Sequence, residues 1–391
     1  MIYNLKITTM SYLRFDKTLM TNLGESLPKE ILRTNRSGAY HCTTIVDCNT
    51  RKYHGLLVIP VPELDDENHV LLSSLDETVI QHGAEFNLGL HKYQGDNYSP
   101  RGHKYIREFE CEKVPTTIYR VGGVILKKEK LFVHHENRIL IRYTLLEAHS
   151  ATTLRLRPFL AFRSVRQYTH ENAQASRDYQ EVDNGIKTCM YPGYPELYMQ
   201  LNKKNEFHYQ PDWYRGIEYP KEQERGYDFN EDLYVPGYFE VDIKKGESIV
   251  FSGGVSEAST RTLKRTFEEE VEERTPRDNF QHCLINAAHQ FLNKQGNEFY
   301  IVILPVLNDY YIMLNRNLIY TGLTRAKQAL FILGNPQAFL YGIKNISDSK
   351  RKTTLVSKIN QNKNIETYEE SSYNQELKQN ITDFLNDYET V

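Results

Sequence analysis

Six consecutive residues, Thr50-Arg51-Lys52-Tyr53-His54-Gly55, set cations, a phenol ring and an imidazole side by side ahead of an apolar run. Arginine and histidine can donate hydrogen bonds to hydroxyl groups, and a tyrosine ring can lie against the apolar face of a pyranose. Such a surface could hold a sugar. The same residues also suit a structural corner with an internally satisfied histidine. Ser37-Gly38, just upstream, permits a tight turn before an extended run starting at Tyr40.

Other reactive residue types form weaker patterns. Glycoside hydrolysis needs two carboxyl groups about 5–9.5 Å apart across one bond. Asp76, Glu77, Asp228, Glu231 and Asp232 are the acids near the aromatic segments, and nothing in their spacing pairs them over a cleft. Structural or sugar-orienting roles are expected for each. The five cysteines (Cys42, Cys48, Cys111, Cys189, Cys283) are scattered without a C-x-x-C pair, which argues against a zinc site or a disulfide framework. His134 and His135 are neighbours on an extended run and so point to opposite faces. His282 and His289, seven apart on a helix, lie too far apart to chelate one ion alone. Glu268-Glu269-Glu270 reads as a solvated helix face. No metal and no cofactor is expected.

The elements that must position these groups come in two grammars. Through residues 31–255, short β-rich runs alternate with turn signals. In 152–157, Leu154 and Leu156 face one way and Arg155 and Arg157 the other, as a half-buried strand requires. Residues 123–135 and 138–147 flank Glu136-Asn137 and predict a hairpin. Further strands are expected at 54–59, 69–73, 196–201, 238–243 and 248–252. The polar, aromatic stretch 165–237 reads as long loops over one face. Together these predict a large antiparallel sandwich. Near 257 the pattern becomes helical: Leu263, Phe267 and Val271 make one stripe, and Thr275-Pro276 is a candidate start for a second helix with Phe280, Leu284, Ala287 or Ala288 and Phe291 on its apolar face. Beyond 292, the runs 299–306 and 329–333 read as strands buried on both faces, with a helix over 314–329 between them. The tail from 361 is polar, with one helix expected at 374–388 or none.

Composition narrows the class. At 391 residues, and with roughly 100–200 residues per domain, two or three domains are expected. The 48 basic and 51 acidic residues give a net charge of −3, which argues against a polybasic nucleic-acid binder. Tyrosine is abundant, at 28 against a single tryptophan, and fits both β-sheet surfaces and sugar stacking. No apolar run is long enough for a signal segment or a bilayer span, so a reduced, cytoplasmic protein is expected.

The segment LRTNRSGAYHCTTIVDCNTRKYHGLLVI (32–59) resembles the signature of the N-terminal domain of bacterial and archaeal glycogen debranching enzymes, T-N-x-x-G-x-Y followed by T-R-K-Y-H-G-L-L-V. Leu75-Asp76-Glu77-Thr78, PFLAFR (158–163), Asp212-Trp213-Tyr214 and ERGYDFNEDLYVP (224–236) agree with it, over about residues 12–291. Ala39 stands where the family often has a second glycine. The resemblance implies a β-supersandwich packed on an (α/α)6 barrel and amylo-α-1,6-glucosidase activity on glycogen. It ends within what looks like the barrel's first helix (276–291), and the family's catalytic carboxylates lie in that barrel. Catalytic residues are therefore expected to be none, and the isolated chain is expected to lack glucosidase activity. Candidate glucan contacts are Tyr40, Arg51, Tyr53, His54, Trp213 and Arg225.

Residues 293–358 resemble the last motifs of RecD-type superfamily 1 helicases, through KQGNEF (294–299), Val302-Ile303-Leu304-Pro305 and NRNLIYTGLTRAK (315–327). That resemblance implies a nucleotide loop at Gly296 and Glu298 and an arginine finger at Arg325, supported by Thr324. No G-x-x-x-x-G-K-[ST] loop accompanies them, so independent ATP hydrolysis is not expected. The organisation expected is then a sandwich at 1–258, a helical linker at 259–291, a partial RecA-like fragment at 292–360 and a polar tail at 361–391. Three functions stand open: an α-glucan-binding module, a nucleotide- or DNA-binding remnant, and a non-functional fusion. The helix 276–291 could dock a separate barrel protein or a second copy.

Overall fold

The structure is a computed structural model that describes residues 12–95, 97–290, 299–306 and 326–345. The chain divides into two compact units, Met1–Asn297 and Glu298–Val391.

Alternating side chains build the first unit as a mainly β, antiparallel structure. One sheet has nine strands, in spatial order Arg14–Asp16, Ile106–Cys111, Pro115–Val121, Val124–Phe132, Arg138–Glu147, Ser248–Gly254, Leu197–Leu201, Gly185–Thr188 and Tyr179–Val182. The other runs Glu206–Glu218, Asn230–Ile243, Thr152–Ser164, Asn68–Gln81, Gly55–Pro60, Tyr40–Thr44 and Glu30–Thr34, with Ala84–Asn87 added on Asn68–Gln81. The expected hairpin is present, closing with Phe132 opposite Ile139. Leu154 and Leu156 are buried as their alternation predicts, and their strand continues to Ser164.

Both sheets feed one apolar core. Leu57, Leu72, Leu156 and Phe239 from one sheet join Ile106, Ile141, Met199 and Phe251 from the other. An ionic knot lies among these strands: Lys128 binds Asp47 at 2.8 Å and Glu77 at 2.6 Å, Lys130 also binds Asp47, and the Tyr143 hydroxyl donates to Glu77 at 2.6 Å. Every charge there has a partner, which burial requires. The eight-stranded sheet carries a second apolar cluster of Val58, Val70, Phe159, Ala161, Leu233 and Val235, ringed by Tyr40, Tyr93 and Tyr214. Phe159 and Ala161 belong to this cluster and Leu160 to the core, so strand alternation assigns the two clusters to opposite faces. A helix, Leu263–Glu272, seats Leu263 and Phe267 on Leu131, Leu140 and Val250.

Three sequence expectations are corrected. The stretch 165–237 is not loop: it contributes four strands and most of Asn230–Ile243. Its longest, Glu206–Glu218, ends its sheet and pairs on one side only, with register shifts between Tyr209 and Asp212 and between Tyr214 and Ile217. Those shifts break the period-two pattern, and a half-solvated edge tolerates polar residues. The second helix starts at Phe280 rather than Pro276, because Asn279 caps it: its Oδ1 accepts the His282 N–H at 2.8 Å. Residues 326–329, expected at the end of a helix, open a strand instead; 314–325 lie outside the described residues.

In the second unit, Phe299–Val306 and Ala326–Gly334 pair in parallel, from Ile301 opposite Ala329 to Val306 opposite Gly334. A helix that the sequence reading missed, Pro336–Lys344, follows at once. Asn335 caps it by accepting the Gln337 N–H at 2.8 Å, and Ala338 packs on Val306.

Candidate functional site

The Thr50–Gly55 motif forms a corner between two strands. Asn35 prepares its surroundings by accepting the Ser37 and Ala39 N–H groups at 2.8 and 3.1 Å, which closes the turn where Arg36 and Gly38 take positive φ. Within the corner, the Thr50 N–H donates to His54 Nδ1 at 3.1 Å and the His54 N–H to the Arg51 carbonyl at 3.0 Å. His54 is fully buried, and burial lowers its pKa, so it is a neutral structural residue here. The Arg51 Nε donates to Glu30 at 2.6 Å. The adjoining His54 imidazole and Arg51 guanidinium hold the Glu30 carboxyl down to about 2.

A buried ion pair fastens this corner to its neighbours. Glu231, without solvent exposure, takes the Arg163 guanidinium at both oxygens, together with the Thr169 N–H at 3.0 Å and the Tyr219 hydroxyl. Arg163 then donates to the Lys52 carbonyl at 3.0 Å. From the other side, the Lys221 N–H donates to the Thr50 carbonyl at 3.0 Å. The corner is thereby clamped between Thr152–Ser164 and the connection leading into Asn230–Ile243.

The outcome is an aromatic and cationic surface. The Lys52 ammonium lies 5.5 Å from the Tyr53 ring centre and 5.3 Å from that of Tyr227, while Arg225 sits 5.0 Å from the same Tyr227 ring. Tyr53 and Tyr227 are 37% and 54% exposed, so both offer ring faces to solvent. Beneath them the Tyr40 hydroxyl donates to the Tyr53 carbonyl at 3.0 Å. Tyr168 stacks on Tyr219 at 5.9 Å and donates to the Asp228 carbonyl at 2.5 Å.

Of the six contacts expected from sequence, the structure gathers Tyr40, Arg51, Tyr53, His54 and Arg225. Trp213 is elsewhere: it is 3% exposed and packs into the core against Tyr234 at 5.4 Å. Burial withdraws both Trp213 and His54 from any ligand, since neither presents a face to solvent. Lys52 and Tyr227 were not singled out as contacts, although Lys52 stands inside the motif and Tyr227 follows Arg225 by two residues. Gly296, Glu298, Thr324 and Arg325 lie outside the described residues.

Four of the five acids considered from sequence are occupied, while the buried Glu222 beside the corner keeps one carboxylate oxygen without a hydrogen-bond partner among the described residues. Asp76 pairs with His91 at 3.0 Å, Glu77 belongs to the ionic knot, Glu231 holds Arg163, and Asp232 accepts the Gly216 and Glu171 N–H groups. Among the described residues one trio has metal-ligand chemistry and spacing: His134, Glu270 and Glu273, with ligand atoms within 4.8 Å of one another. Arg274 donates to Glu270 at 2.6 Å and lies against His134 Nε2, so a guanidinium already engages two of the three groups.

The first unit is thus an antiparallel β-sheet module that carries a clamped, tyrosine-faced corner. Residues 29–250, more than half of the chain, match the glycogen debranching enzyme N-terminal family, and the chain belongs to that family. Residues 293–333 match the UvrD-like helicase C-terminal domain. Among solved structures, a bacterial glucoamylase complexed with acarbose aligns at a TM-score of 0.32 and 8% identity, over 63% of this chain and 37% of that one. A polysaccharide lyase aligns at 0.23 and 11%, over 61% and 34%. The chain spans little more than a third of either structure. Among the described residues no helix is long and apolar enough to cross a membrane.

Proposed function

We propose that the chain is an α-glucan-binding N-terminal module of the glycogen debranching type, acting in the cytoplasm without a catalytic barrel of its own and inactive alone as an amylo-α-1,6-glucosidase. The observation that carries this reading is the pair of exposed rings, Tyr53 and Tyr227, bridged by Lys52 at the family's own motif. Sugar faces stack on such rings while Arg51, Lys52 and Arg225 donate to hydroxyls. Tyr40 supports the surface from below. The exposed Phe280 and Ile285 on the helix Phe280–His289 suit docking of a separate barrel protein or a second copy.

The test is affinity electrophoresis of the full chain through gels containing glycogen. Retardation is expected, and Tyr53→Ala with Tyr227→Ala should weaken it about tenfold or more, as stacking contacts contribute about 0.5–1.5 kcal/mol each beyond buried area. Absence of retardation with a normal circular dichroism spectrum would remove the reading. The match at 293–333 favours a second one, a nucleotide- or DNA-binding remnant using Gly296, Glu298, Thr324 and Arg325. Its test is binding of an ATP analogue and of single-stranded DNA. A signal that survives Arg325→Ala removes it.

A further inference from the structure

A cavity of about 250 Å³ lies away from the tyrosine corner, between the end of the strand Glu30–Thr34, the hairpin strand Val124–Phe132 and the segment 273–290. Its walls are strongly basic. Arg33, Arg36, Lys113, Lys130, Arg274 and Arg277 line it, against one carboxylate, Glu273, whose side chain is 71% exposed. Two of these cations are neutralised: Lys130 by Asp47 and Arg274 by Glu270. The other four have no carboxylate partner among the described residues. Arg277, 5% exposed, donates only to the carbonyls of Glu112 and Lys113, at 3.1 Å each. Arg33 donates to the Leu32 carbonyl at 2.7 Å and the Cys111 sulfur at 2.9 Å. Lys113 reaches the Glu272 carbonyl at 3.4 Å. Arg36 makes no hydrogen bond or ion pair among the described residues.

Of these four, Arg277 is buried and Arg33, Arg36 and Lys113 are half-buried, and burying positive charge without a counter-charge is costly. Here burial, with Arg33 and Arg36 alongside, pushes Arg274 down to about 10 despite Glu270. Burial and Arg33 lower Arg277 as well. A ligand that brings negative charge would relieve this repulsion, and planar guanidinium forks match phosphate oxygens two at a time. The volume falls just below the usual range for small-molecule pockets, about 300–1,000 Å³, which suits a small ligand. A neutral glucan would leave the four charges uncompensated.

We propose that this cavity is a binding site for a small phosphate-bearing ligand, with Arg33, Arg36, Lys113 and Arg277 as its anion contacts. The shared chemistry is a phosphate group, whether inorganic or esterified to a hexose. The site is separate from the glucan surface and does not depend on it.

Isothermal titration calorimetry of the full chain, at low and constant ionic strength, tests this with inorganic phosphate, a hexose monophosphate and the unphosphorylated hexose. Saturable binding of phosphate, of the ester, or of both is expected, with no heat from the neutral sugar. Tighter binding of the ester identifies the sugar phosphate as the ligand; equal affinities identify the free anion. Arg36→Ala with Lys113→Ala should weaken binding at least tenfold, since each removes a charge-assisted contact. If that pair folds poorly, Arg36→Ala alone, at a side chain without structural partners, should still weaken it several-fold. Binding of neither phosphate probe, or binding unchanged in a folded Arg36→Ala variant, overturns the proposal.

Discussion

Replacing Glu231 by glutamine strikes the clamp behind the tyrosine corner. The wild-type carboxylate is wholly buried and receives four donors: two from Arg163, one from the Thr169 backbone and one from Tyr219. Arg163 is itself 3% exposed and keeps its charge, for Glu231 raises its pKa against the opposing effect of burial. Glu231→Gln leaves that cation without a counter-charge and turns an amide N–H₂ toward one of its donors. Breaking a buried pair in this way costs about 3–5 kcal/mol. The double change Arg163→Met with Glu231→Leu removes both charges and should therefore be less damaging than the single one, even though the Thr169 N–H, the Tyr219 hydroxyl and the Lys52 carbonyl lose partners. Urea unfolding followed by tryptophan fluorescence reads this directly. Trp213 is the sole tryptophan, and its strand pairs with the one bearing Glu231. A loss below about 1 kcal/mol in Glu231→Gln, or a double variant worse than the single one, would refute the account of the clamp.

Other outcomes follow from the same structure. Phe267→Ala should lower stability by about 3–5 kcal/mol, because the ring is fully buried on the nine-stranded sheet beneath Arg142, 4.2 Å away. Thermal unfolding by circular dichroism measures it, and a loss under about 1 kcal/mol would mean the helix is not seated there. Burial, foremost, and the nearby Lys130 lower His41 to about 3 from 6.5, so the unfolded chain takes up a proton there that the native chain refuses. Its contribution is intact above pH 6.5 and is lost as pH falls toward 3, at up to about 1.4 kcal/mol per pH unit. His41→Asn should flatten the acid limb of stability against pH by that slope; an unchanged slope would contradict it. The glycogen gel and the phosphate titration complete the set.

Much of the sheet framework was legible because alternation and burial are local properties. Leu154 and Leu156 declare their strand without reference to any other element. The parallel pair announced itself through continuous apolar runs. What escaped depended on distant partners. Glu206–Glu218 hides its strand because two register shifts reset the alternation. Glu231 reads as a structural or sugar-orienting acid, but its partner Arg163, sixty-eight residues earlier, shows only in the fold. Arg33, Arg36, Lys113 and Arg277 come from three separate regions, and no spacing rule foretells that they line one cavity. Conversely, Trp213 stands among the candidate glucan contacts through the Asp212-Trp213-Tyr214 stretch of the resemblance, and only the fold turns it inward.

The position of Ser248–Gly254 bears on how the molecule can be made. This strand is the last of its sheet in the chain, yet it stands between Arg138–Glu147 and Leu197–Leu201 and joins the two halves. Strand Asn230–Ile243 likewise arrives late and bridges Glu206–Glu218 to Thr152–Ser164. A ribosome must therefore release some 250 residues before either sheet can close, and until then paired hairpins wait with open edges. Synthesis of this module should be the stage at which chaperones matter most, and a stop codon anywhere before Gly254 should yield aggregates rather than a smaller folded domain.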